Sequence, residues 1–170
     1  MLSDTLKLAG TVNDSIVDGP GIRFTIFVQG CPHRCKGCHN PHTHDFEGGE
    51  TVTLESLLEK IKGNPLLDGV TFSGGEPFCQ AKQLSELGSE IKKSGMNIVA
   101  YTGYTFEYLT ENANAENFYS ELLSVTDYLV DGPFELDKRD ILLKFRGSSN
   151  QRIIDIKKSL SEKKVVETDI

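Results

Sequence analysis

Four short apolar runs, each ending in a loop of cysteine, glycine or acidic residues, alternate with helical periodicities along this chain. That alternation limits the fold more than any other feature. The stretch Ile22–Val28 is rich in β-branched and aromatic residues and predicts a buried strand running straight into Gln29-Gly30-Cys31. Gly69–Phe72 predicts a second strand, delivering Ser73-Gly74-Gly75-Glu76-Pro77. Met96–Ala100 predicts a third, delivering Tyr101–Thr105, and Tyr128–Val130 a fourth, delivering Asp131-Gly132-Pro133-Phe134. Between them, Thr53 is placed to cap a helix with Leu54, Leu57, Leu58 and Ile61 at helical spacing, stopped by Gly63-Asn64-Pro65. Ala81, Leu84, Leu87 and Ile91 mark another helix ending near Gly95, and Phe118, Leu122 and Val125 align in a broken helical region. Leu6–Val12 predicts a leading strand, with Arg152–Ile156 and Val165-Val166 as two trailing ones.

Strands alternating with helices predict a parallel sheet joined by right-handed crossovers. With 170 residues the chain is too short for a full eightfold barrel, which needs ~250. The expected fold is therefore α/β, a single domain over residues 1–170 forming a partial, open (β/α) barrel of about six strands. Ligands in such folds sit at the carboxyl ends of the strands, so the four loops should rim one face.

Three of the four cysteines, Cys31, Cys35 and Cys38, fall within eight residues, and His33, His39, His42 and His44 lie inside or just after that stretch. Three thiolates on one loop can hold three irons of a [4Fe–4S] cluster, whereas four cysteines saturate it. With no fourth cysteine nearby, one iron would stay open to an exogenous ligand. A Cys3His zinc site is the competing reading, with nitrogen from any of the four histidines. The asymmetric three-then-two spacing differs from the paired CxxC-like units of zinc knuckles, and a disulfide would strand the third thiol. Cys79 reads as a partly buried free thiol behaving as a small apolar residue.

The net charge of −7 argues against a general nucleic-acid or anionic-membrane surface. Around the cysteines Arg34, Lys36 and the histidines reverse that balance, which suits an anionic cluster and an acidic electron donor, or is ordinary solvated charge. Met1-Leu2-Ser3-Asp4 opens no charged-then-apolar signal segment, and no apolar run approaches a membrane span. Unpaired thiols then place the protein in the reducing cytoplasm.

Each remaining loop has a chemical reading and an ordinary one. Gly74-Gly75-Glu76 lets backbone approach a ligand closely, and exposed carbonyls with the Glu76 carboxylate suit a cationic amine; the alternative is a plain turn with a surface glutamate. Tyr101–Thr105 offers hydroxyls to a ribose or carboxylate, or simply caps the next helix through Thr105. Asp131 can accept from ribose hydroxyls or a cation, or serve as a turn residue. Ser148-Ser149-Asn150-Gln151 can meet adenosine or be solvated polar loop.

The CxxxCxxC spacing at Cys31, Cys35 and Cys38, followed by Gly74-Gly75-Glu76, resembles the radical S-adenosylmethionine enzymes. The run Asp18-Gly19-Pro20-Gly21-Ile22-Arg23 through Gln29-Gly30-Cys31 to Cys38-His39-Asn40-Pro41 is similar to the glycyl-radical-enzyme activases. Tyr101–Thr105, Asp131–Phe134 and Arg146–Arg152 narrow the likeness to activating proteins of anaerobic (class III) ribonucleoside-triphosphate reductases, from about Leu8 to Val166. The resemblance implies a radical S-adenosylmethionine core with a [4Fe–4S] cluster on Cys31, Cys35 and Cys38. S-adenosylmethionine would chelate the open iron through its amino and carboxylate groups, contacted by Gly37, His39, Ser73, Gly74, Gly75, Glu76, Thr102, Asp131 and Asn150. An electron from a donor such as reduced flavodoxin would break its C5′–S bond, and the resulting 5′-deoxyadenosyl radical would take hydrogen from a glycine Cα of the reductase.

No catalytic side chain beyond the cluster and S-adenosylmethionine is implied. Gly37 departs from the wider pattern, in which an aromatic often precedes the last cysteine, so an adenine contact from that side chain is absent. An open barrel leaves a wide side uncovered, which suits a loop of a large protein. Asp18 and Arg23 are candidates to hold that loop, or else a turn cap and a sheet-edge cation. Activation of another glycyl radical enzyme such as pyruvate formate-lyase, small-molecule radical chemistry, and a non-catalytic zinc-binding interaction module remain as alternatives.

Overall fold

The computed structural model describes residues 4–170; Met1–Ser3, most of the stretch read for a signal segment, lie outside the described residues. The elements in chain order are β1 (Thr5–Ser15), β2 (Arg23–Val28), β3 (Glu50–Thr53), α1 (Leu54–Lys62), β4 (Gly69–Gly74), α2 (Ala81–Lys93) and β5 (Asn97–Tyr101). They continue with α3 (Phe106–Glu111), α4 (Tyr119–Val125), β6 (Tyr128–Asp131), β7 (Arg152–Asp155) and α5 (Ile156–Glu162). All the strands join one seven-stranded sheet in the order β3-β1-β2-β4-β5-β6-β7, which does not close on itself.

The sheet is mixed, which corrects the expectation of a wholly parallel one. Its centre, β2-β4-β5-β6, is parallel, while β1 and β3 on one side and β7 on the other run antiparallel. Residues 16–22 are too short a connection for a crossover, so β1 and β2 must form a hairpin-like pair. The edge strand β3 was not anticipated: three of its four residues are exposed, so it carries no apolar alternation to read. Nor was α5. Asp155 accepts a hydrogen bond from the Lys158 amide at 3.0 Å and caps that helix, which ends β7 one residue early. Val165-Val166 forms no strand; the tail makes one bridge, Ile154 to Glu167, and the Asp155 amide donates to the Val166 carbonyl at 2.9 Å.

The helices pack on one face of the sheet. Phe24, Ile26, Val28, Val70, Phe72, Ile98, Ala100, Leu129 and Ile154 meet Leu57, Leu84, Leu87, Ile91 and Leu122 there in one buried cluster. Strand residues alternate between faces, so Thr25, Thr71, Val99 and Val130 lie on the other face, buried as well. Helix α2 forms where Leu84, Leu87 and Ile91 repeat at helical spacing; all three are fully buried. Each contributes on the order of 1.5–3 kcal/mol of burial.

A charged residue at the start of β2 is sealed into this frame. Arg23 opens β2 and is fully buried, and its Nε donates to Thr71 Oγ1 at 2.7 Å. Its Nη1 donates to the Pro20 carbonyl at 2.9 Å and its Nη2 to the Val70 carbonyl at 2.8 Å. Burial lowers the guanidinium pKa to about 10, against the favourable fields of Tyr101, Asp68, Asp127 and Asp18. Arg23 thereby ties the β1–β2 connection to the sheet.

Candidate active site

Strand direction brings the four loops together. The segments following β2, β4, β5 and β6 open onto one cleft of about 510 Å³, within the usual range for a cofactor pocket. Cys31, Cys35, Cys38 and His39 line it from the first loop, Ser73, Gly74 and Gly75 from the second, and Tyr101, Thr102 and Gly103 from the third. Gly132 and Phe134 come from the fourth, Phe145, Arg146, Gly147 and Gln151 from the segment before β7, and Asp18 from the β1–β2 connection.

The cysteine loop is closed by its own backbone. The Gly30 amide donates to the Thr43 carbonyl at 2.7 Å and the Cys31 amide to the His44 carbonyl at 3.2 Å, while the Gln29 amide group reaches the His42 and Asp45 carbonyls. Within it, the Cys38 amide donates to the Cys35 carbonyl at 3.1 Å. The Asn40 amide donates to Cys38 Sγ, 3.4 Å away, and the backbone N–H groups of His33 and Arg34 lie near the Cys31 thiol and that of Phe134 near the Cys35 thiol. Desolvation raises the Cys31 and Cys35 thiols above their ordinary range, and these N–H groups oppose the rise. Hydrogen bonds to sulphur of this kind stabilise and tune cluster-ligating thiolates. The donor set therefore fits a [4Fe–4S] cluster held by Cys31, Cys35 and Cys38.

The same geometry weighs against zinc. Among the described residues no three His, Cys, Asp or Glu side chains converge closely enough to hold a single ion. His33 is engaged by Glu76, and the His39 ring packs against Phe134 at 5.1 Å.

The glycine turn lies flat against the end of β2. The Gly75 amide donates to the Val28 carbonyl and the Glu76 amide to the Gly30 carbonyl, both at 2.8 Å. A Cβ on Gly75 would stand 2.3 Å from the Gly30 carbonyl oxygen, and one on Gly74, where φ is +94°, would stand 2.5 Å from the Val28 nitrogen. No side chain fits at either position.

Five of the expected residues stand outside the cleft lining: Gly37, Glu76, Asp131, Asn150 and Arg23. Glu76 is fully buried, and its carboxylate accepts from His33 Nε2 at 2.6 Å, Thr102 Oγ1 at 2.8 Å, the Gly103 amide at 2.8 Å and the Phe78 amide at 3.0 Å. Asp131, also buried, accepts from the Phe106 amide at 2.8 Å and from Arg152 Nε and Nη2 at 3.0 and 2.6 Å. Gly37 backs onto Leu136. Asn150 donates to the Pro133 carbonyl at 2.8 Å, and its buried Oδ1 has no partner. Asp18, at the cleft, accepts from Ser15 and from Thr25 Oγ1 at 3.0 Å.

Cys79 is an exposed residue rather than a partly buried one. Desolvation and the charges of Glu76 and Cys31 nevertheless push its thiol up to about 11. Sequence reasoning missed Arg152, which reaches Asp131 through the antiparallel pairing of β6 with β7. It also did not assign Arg146, quoted only as part of the Arg146–Arg152 run, or Phe145, which carries no local signal, to the cleft.

The sequence profile of the 4Fe-4S single cluster domain matches residues 17–154. The chain is 36% identical over 146 residues to the anaerobic ribonucleoside-triphosphate reductase-activating protein of Vibrio cholerae serotype O1, covering 81% of this chain and 90% of that protein. The protein of the same description from Pasteurella multocida is 34% identical over 147 residues, with coverages of 81% and 90%. The pyruvate formate-lyase 1-activating enzyme of Escherichia coli K12 is 36% identical over 155 residues, covering 88% of this chain but 60% of that enzyme. The chain belongs to the radical S-adenosylmethionine activase family, enzymes whose cofactors are a [4Fe–4S] cluster and S-adenosylmethionine. Among the described residues no helix is long and apolar enough to cross a membrane.

Proposed function

We propose that this protein generates the glycyl radical of an anaerobic ribonucleoside-triphosphate reductase. The observation that carries the reading is the convergence of Cys31, Cys35 and Cys38 with the Gly74-Gly75 turn on one cleft at the carboxyl ends of parallel strands. In a chain of this family, that arrangement supports a radical S-adenosylmethionine core, here a single domain over residues 1–170. When bound, the cluster and S-adenosylmethionine supply one-electron cleavage of the C5′–S bond and a 5′-deoxyadenosyl radical that removes hydrogen from a glycine Cα.

The chain's own residues bind, orient and exclude water. Cys31, Cys35 and Cys38 would each hold one iron of the cluster. The Gly74–Glu76 turn would bring backbone against the methionyl amine, with Ser73 beside it. Thr102 and His39 would border the nucleoside, while Gly37, whose backbone packs against Leu136, and Asp131 and Asn150 would shape the wall from behind. Asp18 faces the incoming glycine loop at the open side, and Arg23 holds Asp18's segment through Pro20 and Thr71. A reduced flavodoxin is a fitting electron donor, and a cytoplasmic setting keeps the thiols reduced.

The reductase is preferred as target because Tyr101–Thr105, Asp131–Phe134 and Arg146–Arg152, which resemble the reductase-activating proteins, are the segments that wall and brace the cleft. The test is to reconstitute the protein anaerobically and mix it with the reductase, S-adenosylmethionine and dithionite. A glycyl doublet in the electron paramagnetic resonance (EPR) spectrum is expected. A doublet on pyruvate formate-lyase and none on the reductase would reassign the target.

A further inference from the structure

One polar side chain of the cysteine loop has no role in the reading above and yet is held firmly in place. His33 lies between Cys31 and Cys35, and its Nε2 meets Glu76 Oε1 at 2.6 Å. The ring packs edge-on against Tyr104 with centroids 4.4 Å apart. It also lies directly over Gly103, where a Cβ would come within 2.4 Å of the ring. The imidazole is therefore held on two sides and has one orientation.

Glu76 is the other half of the arrangement. An ionised carboxylate has about four acceptor sites. Here His33, Thr102 Oγ1, the Gly103 amide and the Phe78 amide fill them, and the side chain has no exposed surface. A buried carboxylate without such partners would be costly, so each donor is drawn to it and the positions of all four become mutually dependent. Those donors come from the cysteine loop after β2, the turn after β5 and the short helix that follows the glycine turn. One carboxylate thus gathers the three loops that form the near wall of the cleft.

We propose that His33 is a positioning residue. Through Glu76 it sets the distance between the cysteine loop and the glycine turn, and so the register of S-adenosylmethionine on the open iron. This rests on the function proposed above and refines it. The Glu76 carboxylate then acts as the anchor of the strut, and the amine is met by the backbone of the turn, because no acceptor site on Glu76 is left for it.

The experiment uses full-length protein reconstituted anaerobically with iron and sulfide, as wild type, His33→Ala, His33→Gln and Thr102→Val. Glutamine keeps an N–H donor at the reach of Nε2; alanine removes it. Iron content and the EPR signal of the reduced cluster are recorded first without S-adenosylmethionine, then as it is titrated in. Losing one hydrogen bond to a charged group should weaken S-adenosylmethionine binding roughly tenfold or more in His33→Ala. Iron content should stay within about a fifth of wild type, His33→Gln should recover most of the binding, and Thr102→Val should weaken it in the same direction. The proposal fails if His33→Ala shows a wild-type titration, if iron content falls in step with binding, or if His33→Gln behaves like His33→Ala. A wild-type protein whose cluster ignores S-adenosylmethionine would instead defeat the function proposed above.

Discussion

Replacing Gly75 with alanine tests the contact between the glycine turn and the cysteine loop without any cofactor. Gly75 has an ordinary backbone conformation, so the effect is one of space alone. The new Cβ would sit 2.3 Å from the Gly30 carbonyl oxygen, 2.9 Å from its carbon and 3.0 Å from the Val28 carbonyl oxygen. All three atoms are backbone at the end of a central strand, so no flexible side chain can yield. Relief requires the turn to lift, which strains packing by about 1–3 kcal/mol. It also stretches the two 2.8 Å bonds from Gly75 and Glu76 to Val28 and Gly30, worth ~1 kcal/mol each. The sum, roughly 3–5 kcal/mol, is a large part of the ~5–15 kcal/mol that holds a domain folded. At about 2–4 °C per kcal/mol for a chain of this size, the apo-protein should melt some 6–20 °C below wild type. Thermal unfolding followed by circular dichroism measures it. A fall of under about 2 °C would show that the turn does not rest on β2 as described.

Other perturbations have distinct signatures. Arg152→Ala leaves Asp131, which is 1% exposed, without its charged partner. Because the Arg152 side chain is itself 26% exposed, the loss should fall near the low end of the range for buried pairs, about 3 kcal/mol, read as a lower midpoint in denaturant titration. Thr53 caps α1 by accepting from the Ser56 amide at 3.1 Å, and Thr53→Ala should cost ~1 kcal/mol, a 2–4 °C lower melting point. Cys79, with its thiol pushed up to about 11, should carry a thiolate fraction at pH 8 lower by roughly 10- to 100-fold than an ordinary cysteine. The sign follows from burial disfavouring the charged form. Iodoacetamide labelling of the apo-protein, mapped by mass spectrometry, should mark Cys79 correspondingly slowly at pH 8 and faster as pH rises. Cys35→Ala should lose both iron and the glycyl radical, whereas Cys79→Ala should keep both, measured by iron assay and EPR.

The strands that deliver the four loops were legible because each is an apolar run of β-formers broken by glycine, proline or cysteine. The cap at Thr53 and the apolar face of α2 were legible for the same reason, since their partners lie within a few residues. The edges of the sheet were not. Glu50–Thr53 is a strand only because β1 lies beside it, and Asp155 turns the chain into α5 where the apolar pattern alone reads as continued strand. Glu76 was legible as a residue that matters, but its buried position and its four donors could not be foreseen.

By itself, then, the sequence determined the local chemistry: three thiols within eight residues, a paired glycine after a strand, and the periodicities that place both at strand ends. Only the tertiary structure decided which side chains meet. His33 and Glu76 are 43 residues apart, Thr102 and Glu76 are 26 apart, and Asp131 and Arg152 are 21 apart. Their contacts depend on the order and register of strands across the sheet. Spacing along the chain carries ligand sets and helix faces, because those partners share one loop or one turn. Desolvation and hydrogen-bond saturation depend on every neighbour at once, and those neighbours are assembled only when the sheet is complete.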